Sequence, residues 1–172
     1  TIAFLATRVK EPDVDDWNKL VRMMRYLNKT KNKVRRLRAS NFNCLKWYID
    51  GAHTVHNDLK GHTGGCLCLD QGSLENKSTK QKLNTRSSTE TEIVSVDDVM
   101  PDILWHNLFL EEQGYKATNT IVHQDNMSTM LWERNGRQSV GKRAKHINVR
   151  YFFIKDRIDK GEMEITYCPT EI

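Results

Sequence analysis

The sequence predicts an α/β fold in which the secondary structure follows the order βββαβααβ. Residues 44–50 alternate between apolar and polar side chains, as strands with one buried face do. Apolar residues then recur at helical spacing between residues 87 and 113. A strand pattern over 120–125 follows, and after it come two helical patterns and a strand over 162–168. Strands that alternate with helices in this way are typical of α/β proteins.

Length and composition limit the possible classes of protein. The 172 residues, of which 38% are hydrophobic, suffice for one domain with an appendage. A net charge of +5 favours a polyanionic partner. The four cysteines form no C-x-x-C pair, which indicates reduced thiols in an intracellular protein. The sequence has no signal-peptide pattern and no apolar run long enough to span a membrane, so we expect no membrane partner.

Residues 1–39 are predicted to form the appendage, and residues 40–172 the domain. Asp13 and Asp16 start an amphipathic helix whose apolar side chains recur from Trp17 to Leu27. Residues 29–38 are strongly basic and form either a solvated linker or a phosphate-contacting one. Because the chain begins at Thr1 and stops abruptly, we expect it to be a piece of a longer polyprotein.

Three short strands are predicted to open the domain as an antiparallel meander. The first covers residues 44–50 and ends at Asp50, before Gly51. The second covers residues 65–69, and the third, a weaker pattern, covers residues 73–76. Residues 77–86 are basic and polar, and we expect them to form a loop that leads to the long helix.

The long helix is predicted to begin after Ser87 and to end near Gly114. Ser87 and Glu90 fit a capping box, with Glu90 on the side away from the core. Glu92 borders the apolar stripe of the helix, where a carboxylate is unfavourable unless a cation meets it. The alternative is an ordinary surface glutamate near a helix start. Pro101 is expected to kink the helix on its solvent side.

The second half of the domain completes the order of elements. The strand over 120–125 ends in Asp125, and a short helix is predicted from Asn126 to Trp132. A basic loop over 135–145, a helix over 147–158 that stops at Gly161, and a last strand follow. The large aromatic side chains are expected in the core, namely Trp47, Trp105, Trp132, Tyr151 and Phe152.

Three acidic residues are candidates for a metal site. Asp50 and Asp125 end two strands, and if those strands are neighbours, both side chains project from one edge of the sheet. The helix packed on that sheet would bring Glu92 to them. Three carboxylates that converge would repel one another, and a divalent cation relieves this repulsion. Mg²⁺ prefers carboxylate oxygens, so the pattern indicates a magnesium site for phosphodiester chemistry.

The sequence resembles the ribonuclease H domain of copia-type LTR retrotransposon Pol polyproteins, preceded by the tail of the reverse transcriptase. The matching stretches run through nearly the whole chain in the family's order. They are Ile2-Ala-Phe-Leu5, Trp17 to Leu27, Trp47-Tyr-Ile-Asp-Gly51, Thr63-Gly-Gly65, Lys80-Gln81, Ser87-Ser-Thr-Glu-Thr-Glu92, Gln124-Asp-Asn126, Lys145-His-Ile-Asn-Val-Arg-Tyr151 and Tyr167-Cys-Pro-Thr-Glu171. The resemblance implies a ribonuclease H-like fold with a mixed five-stranded sheet. The family's C-terminal helix, with its fourth acidic residue, would lie beyond Ile172 and is missing here.

The resemblance also implies the function of the three carboxylates. Asp50, Glu92 and Asp125 would bind two Mg²⁺ ions, or Mn²⁺, and catalyse hydrolysis of the RNA strand of an RNA–DNA hybrid. The partners would be that hybrid and the rest of the Pol polyprotein, in a cytoplasmic retrotransposon particle or in the nucleus. Basic and polar residues are expected to contact the hybrid, since it is recognised through phosphates and groove shape. They are Lys77, Lys80, Lys82, Arg86, Asn126, Lys142, Arg143, Lys145 and His146, although a structural role for His146 is an equal alternative.

Two other functions are alternatives to this one. A truncated or degenerate copy would keep the fold and bind nucleic acid without cleaving it, and the missing C-terminal helix favours this alternative. An integrase or transposase core of the same fold would place its helical glutamate after the second aspartate. The order here is Asp50, Glu92, Asp125, which disfavours such a core.

Overall fold

The computed structural model describes residues 1–39, 41–115, 119–126 and 145–169, without the side chains of Asn119, Lys145, His146 and Asn148. It separates into two compact units, Thr1–Arg36 and Leu37–Ile172. The assignment of residues 1–39 to a reverse transcriptase tail stays a prediction. Among the described helices, none is both long and apolar enough to cross a lipid bilayer.

The first unit contains two helices, α1 (Ile2–Ala6) and α2 (Val14–Thr30). The sequence predicted α2 but not the short α1. Asp13 and Asp16 form a reciprocal capping box at the start of α2, and Arg8 pairs with both carboxylates. The apolar face of α2 is largely uncovered, since Trp17 is 64% exposed.

The second unit contains a mixed five-stranded sheet, as predicted. Its strands are β1 (Cys44–Ala52), β2 (His62–Cys68), β3 (Ser73–Lys80), β4 (Asn119–Gln124) and β5 (Glu164–Tyr167), in the spatial order β3-β2-β1-β4-β5. The first three strands are antiparallel, and β4 is parallel to both β1 and β5. The helices among the described residues of this unit are α3 (Ser88–Glu112) and α4 (Lys145–Asp159). The helix predicted from Asn126 to Trp132 lies, apart from its first residue, outside the described residues.

The core lies between the sheet and the helices. Leu45, Trp47 and Ile49 are fully buried on one face of β1, as their alternation predicted. They belong to the same apolar cluster as the buried stripe of α3 and the inner side chains of α4. The stripe of α3 comprises Ile93, Val96, Val99, Met100 and Ile103. Burial of these side chains fixes α3 across β1, and this places the first turns of α3 beside the end of that strand.

Three strands are longer than predicted, and the first of them, β1, continues two residues past Asp50 to Ala52. β2 begins three residues before the predicted start, and β3 continues to Lys80 through residues that were assigned to a loop. The reason is that β3 lies at the edge of the sheet, where polar side chains replace the apolar alternation on which the prediction relied.

Three side-chain predictions are wrong. Trp105 is 58% exposed and stacks on Phe109 along α3, and Phe152 is 47% exposed on α4. Glu90 was expected on the outer side of α3 but is buried, because its carboxylate folds back to accept the Arg86 backbone N–H. Ser87 does cap the helix, yet Glu90 therefore does not close the capping box on Ser87 itself.

Candidate metal centre

The sheet brings Asp50, Glu92 and Asp125 together. Asp50 lies near the end of β1, and Asp125 follows directly after the parallel neighbour β4. Glu92 lies in the second turn of α3, which packs on β1. Each residue offers one carboxylate oxygen, and these three oxygens all lie within 4.8 Å of one another.

Glu92 is the buried member of this cluster. Its side chain is 5% exposed, whereas Asp50 and Asp125 face solvent. The pKa of Glu92 is raised from the usual 4.5 to about 8. Burial is the largest cause, the negative charge of Asp50 is the next, and the charge of Asp125 adds a smaller effect. The Gly51 backbone N–H and the Gln124 side chain oppose this rise by hydrogen bonding to the carboxylate. With its amide nitrogen turned inward, Gln124 donates to Glu92 Oε2 at 3.2 Å and to the Ile49 carbonyl at 3.1 Å.

The three carboxylates fit a hard divalent cation. Mg²⁺–oxygen distances of about 2.0–2.1 Å place two ligands of one ion at most about 4.2 Å apart. Oxygens spaced within 4.8 Å reach that geometry with small side-chain rotations, or they can be shared between two neighbouring ions. A cation there would also reverse the repulsion that raises the pKa of Glu92.

Gly51 makes the close approach of α3 to β1 possible. A Cβ atom at this position would lie 2.5 Å from Ser95 Oγ and 3.1 Å from the Thr91 carbonyl oxygen. Thr91 precedes Glu92 directly, so the absence of a side chain at Gly51 allows Glu92 to reach Asp50. From the sequence, Gly51 marked only the end of the first strand and of one matching stretch.

Replacing Gly51 with Ala is expected to destabilise the domain by about 1–3 kcal/mol, the usual cost of overpacking. The reason is that the new methyl group must push α3 away from β1. Urea denaturation followed by circular dichroism measures this change. Gly64→Ala is the matched control, because a Cβ there would meet only the Asp50 carbonyl oxygen at 3.6 Å. The explanation fails if the two variants lose equal stability.

A buried amide supports the first turns of α3. The Gln81 side chain is 1% exposed, and its nitrogen donates to Thr63 Oγ1 at 3.1 Å, the Thr91 carbonyl at 3.0 Å and Ser95 Oγ at 3.1 Å. These bonds tie the loop after β3 to both β2 and α3. From the sequence, Gln81 belongs only to a matching stretch, since no local pattern distinguishes a buried amide from a solvated one.

The two histidines near the carboxylates have structural contacts. His53 Nδ1 lies 2.9 Å from Thr91 Oγ1 and 3.2 Å from Thr85 Oγ1, which anchors the start of α3. His123 Nδ1 lies 2.9 Å from Thr166 Oγ1, and its ring stacks on Tyr48 with centroids 4.6 Å apart.

Two of the basic residues proposed for hybrid contact form internal ion pairs. Lys77 Nζ donates to Asp102 Oδ2 at 2.6 Å and to the Asp98 carbonyl at 2.7 Å, which ties β3 to α3. Lys80 Nζ lies 2.9 Å from Asp58 Oδ2. Lys82 and Arg86, in contrast, are exposed beside the start of α3.

The remaining proposed contacts follow β4. Asn126 is half-buried directly after Asp125. Lys142 and Arg143 lie outside the described residues. Lys145 and His146 form the start of α4, but their side chains are not among those described.

The chain is similar in sequence to Pol polyproteins of plant transposons. It is 26% identical over 164 residues to the retrovirus-related Pol polyprotein from transposon TNT 1-94 of Nicotiana tabacum. The aligned region covers 94% of this chain and 12% of that protein. It is 29% identical over 161 residues to the corresponding polyproteins of transposons RE2 and RE1 of Arabidopsis thaliana, covering 92% of this chain and 11% of each protein. The chain therefore spans only about a tenth of the length of these relatives. No protein-family model matches it.

The fold is similar to solved ribonuclease H structures. A ribonuclease H1 isolated from compost superimposes with a TM-score of 0.54 at 11% identity, over 75% of this chain and 86% of that one. The same enzyme in complex with an RNA/DNA hybrid gives 0.52 at 11% identity, over 74% and 86%. The prototype foamy virus protease–reverse transcriptase gives 0.50 at 16% identity, over 72% and 17%. The homologues of this chain are thus retrovirus-related Pol polyproteins of plant transposons, and its fold is the ribonuclease H fold.

Proposed function

We propose that this chain is a metal-dependent endoribonuclease that hydrolyses the RNA strand of RNA–DNA hybrids within a copia-type retrotransposon Pol polyprotein. The observation that carries the proposal is the cluster of Asp50, Glu92 and Asp125, with ligand oxygens within 4.8 Å of one another. The ribonuclease H fold and the sequence similarity to plant transposon Pol polyproteins support it. A structural neighbour that binds an RNA/DNA hybrid makes that hybrid the substrate to test first.

The three carboxylates would hold Mg²⁺, or Mn²⁺ in its place, at the edge of the sheet. Two such ions would activate a water and stabilise the leaving oxygen of a phosphodiester. Asp50 and Asp125 face solvent, so their oxygens would be accessible to a substrate. Glu92 is held from behind by the Gly51 N–H and the Gln124 amide, so its carboxylate is oriented before any ligand binds.

The exposed cations Lys82 and Arg86 are the best-placed described residues for phosphate contacts beside the start of α3. Lys77 and Lys80 would first have to leave Asp102 and Asp58. We therefore assign Lys77 and Lys80 to holding β3 in place, and Lys82 and Arg86 to the hybrid backbone. Asn126, Lys142, Arg143, Lys145 and His146 remain proposed contacts to the hybrid.

The context proposed for this activity is reverse transcription. Residues 1–39 would be the end of the reverse transcriptase. The partners of the domain would then be the polymerase part of that enzyme and the other components of the retrotransposon particle in the cytoplasm. The uncovered apolar face of α2, with Trp17 64% exposed, suits a segment that packs on more of the polyprotein.

The proposal is tested by cleavage of a labelled RNA–DNA hybrid, with double-stranded RNA and double-stranded DNA as matched substrates. We expect cleavage of the RNA strand in the hybrid only, in Mg²⁺ or Mn²⁺, and none in EDTA. The assay uses both this chain and a longer polypeptide that continues into the following polyprotein sequence. Hybrid binding by both proteins without cleavage, even in Mn²⁺, would instead favour a copy that binds nucleic acid without cutting it.

A further inference from the structure

A pair of thiols lies on β2, outside the carboxylate cluster. Cys66 and Cys68 point to the same face of the sheet, and their Sγ atoms lie 3.7 Å apart. A register irregularity between Leu67 and Cys68 in the pairing with β3 lies between the two cysteines. Both side chains are partly exposed and neither forms a disulfide.

The spacing of the two sulfurs matches that of a tetrahedral metal site. Zinc–thiolate bonds of about 2.3 Å place neighbouring sulfurs of a tetrahedral site about 3.8 Å apart. A thiol is only a weak hydrogen-bond donor and acceptor, so the S–H···S contact itself provides little reason for the arrangement.

We propose that Cys66 and Cys68 form a bidentate binding site for a thiophilic divalent cation such as Zn²⁺. This site goes beyond the proposed nuclease function and uses none of its three carboxylates. Binding replaces the two thiol protons, which pass to solvent, with two metal–sulfur bonds, and water completes the coordination. The sulfur ligands select a soft or borderline cation, whereas the carboxylate cluster selects Mg²⁺.

Metal binding fits the geometry better than a disulfide between these residues. Alternate residues of a strand have Cα atoms about 6.6 Å apart, near the upper limit for disulfides. A disulfide would also require the sulfurs to close from 3.7 Å to about 2.05 Å. A bound cation needs no such closure.

The site lies close to the carboxylates. Cys66 lines the same open groove, of about 450 Å³, as Asp50 and Asp125. Tyr48 of β1 is the cross-strand partner of Cys66, and its exposed ring lies on this face. A cation held by Cys66 and Cys68 would therefore lie beside the surface that the hybrid is proposed to cover.

Co²⁺ is a spectroscopic probe for this site, because thiolate ligation gives a sulfur-to-metal charge-transfer band that carboxylate ligation does not give. The full chain is titrated with Co²⁺ in excess Mg²⁺, which occupies the carboxylate cluster. We expect one Co²⁺ per chain with this band, and we expect Zn²⁺ to displace it, since Zn²⁺ binds such sites more tightly. Absence of the band in the reduced wild-type protein overturns the proposal.

Serine variants identify the ligands. Cys66→Ser and Cys68→Ser should each weaken Co²⁺ binding at least about tenfold, a loss that outer-shell partners alone already produce. Cys44→Ser is the control at the start of the adjacent strand β1, and it should bind Co²⁺ within about twofold of wild type, because substitutions away from a site usually change free energies by less than about 0.5 kcal/mol. A band that persists in the double variant Cys66→Ser/Cys68→Ser overturns the assignment.

A second measurement needs no variant. Zn²⁺ should protect Cys66 and Cys68, but not Cys44, from alkylation, as mapped by peptide mass spectrometry. Equal alkylation of Cys66 and Cys44 in saturating Zn²⁺ would contradict the proposal.

Discussion

Replacing Asp50 with Asn is expected to lower the rate of Mg²⁺-dependent hybrid cleavage by about 10³-fold. The amide removes one negative oxygen ligand from a cluster whose three oxygens lie within 4.8 Å of one another. Metal-assisted charge stabilisation is worth several kcal/mol, and each 1.36 kcal/mol corresponds to about tenfold in rate. The measurement is single-turnover cleavage of a labelled hybrid at saturating enzyme.

The same assay separates a ligand from a residue that affects only folding. Asp125→Asn should match Asp50→Asn, and both should respond to Mg²⁺ less steeply than wild type. Glu112→Gln, which removes an exposed carboxylate near the end of α3, should cleave within about twofold of wild type, as surface substitutions usually leave structure unchanged. Wild-type cleavage by either aspartate variant would show that the cluster is not the catalytic site.

Replacing Glu92 with Gln is expected to stabilise the metal-free protein by about 3–5 kcal/mol at pH 8. Glu92 is buried beside Asp50 and Asp125, and its pKa is raised to about 8 in the folded state against 4.5 normally. Each pKa unit corresponds to about 1.36 kcal/mol. A glutamine carries no charge and keeps an oxygen that can accept the Gly51 N–H.

The sign of the pH dependence follows from the raised pKa. The folded state binds the Glu92 proton more tightly than the unfolded state does. The contribution of Glu92 protonation to the free energy of unfolding is therefore fully present below pH 4.5, and it is lost as the pH rises to about 8. The advantage of Glu92→Gln should therefore be near zero at pH 4, grow between pH 4.5 and 8, and level off above that. Urea denaturation in EDTA across this range measures it.

Mg²⁺ should reduce the stability advantage of Glu92→Gln. A cation that binds only the folded protein raises the free energy of unfolding, and wild type has the complete set of ligands. We expect saturating Mg²⁺ to stabilise wild type more than Glu92→Gln, with Glu112→Gln behaving like wild type. A constant difference between wild type and Glu92→Gln at all pH values, with or without Mg²⁺, would exclude Glu92 as a buried metal ligand.

Much of the fold could be predicted because the relevant patterns are local. The alternation of Leu45, Trp47 and Ile49 predicted the buried face of β1, and helical spacing predicted α3 with Ser87 as its cap. The prediction ended the edge strand β3 too early, since residues Lys77 to Lys80 lack the alternation that burial imposes. Trp105 was misplaced because large aromatic residues are usually buried, whereas this one stacks on Phe109 at the surface.

The sequence predicted the three acidic residues of the candidate site but not the residues that hold them in place. Asp50, Glu92 and Asp125 were identified from strand ends, from the face of one helix and from family resemblance. The supporting roles of three other residues could not be predicted, because each role depends on contacts with atoms far away in the chain. These residues are Gly51, Gln81 and Gln124. A missing Cβ at Gly51 matters only because Ser95 would lie 2.5 Å from it.

The sequence alone was sufficient for the periods of the strands and helices and for the Ser87 cap, since these depend on neighbouring residues. Composition set the net charge, and local patterns together with family resemblance identified the three acidic residues. The tertiary structure was needed to show that β1 and β4 are parallel neighbours and that Glu92 is buried in a cluster with two aspartates. The physical reason is that pairing, desolvation and close approach arise between segments distant in sequence, where no local pattern records them.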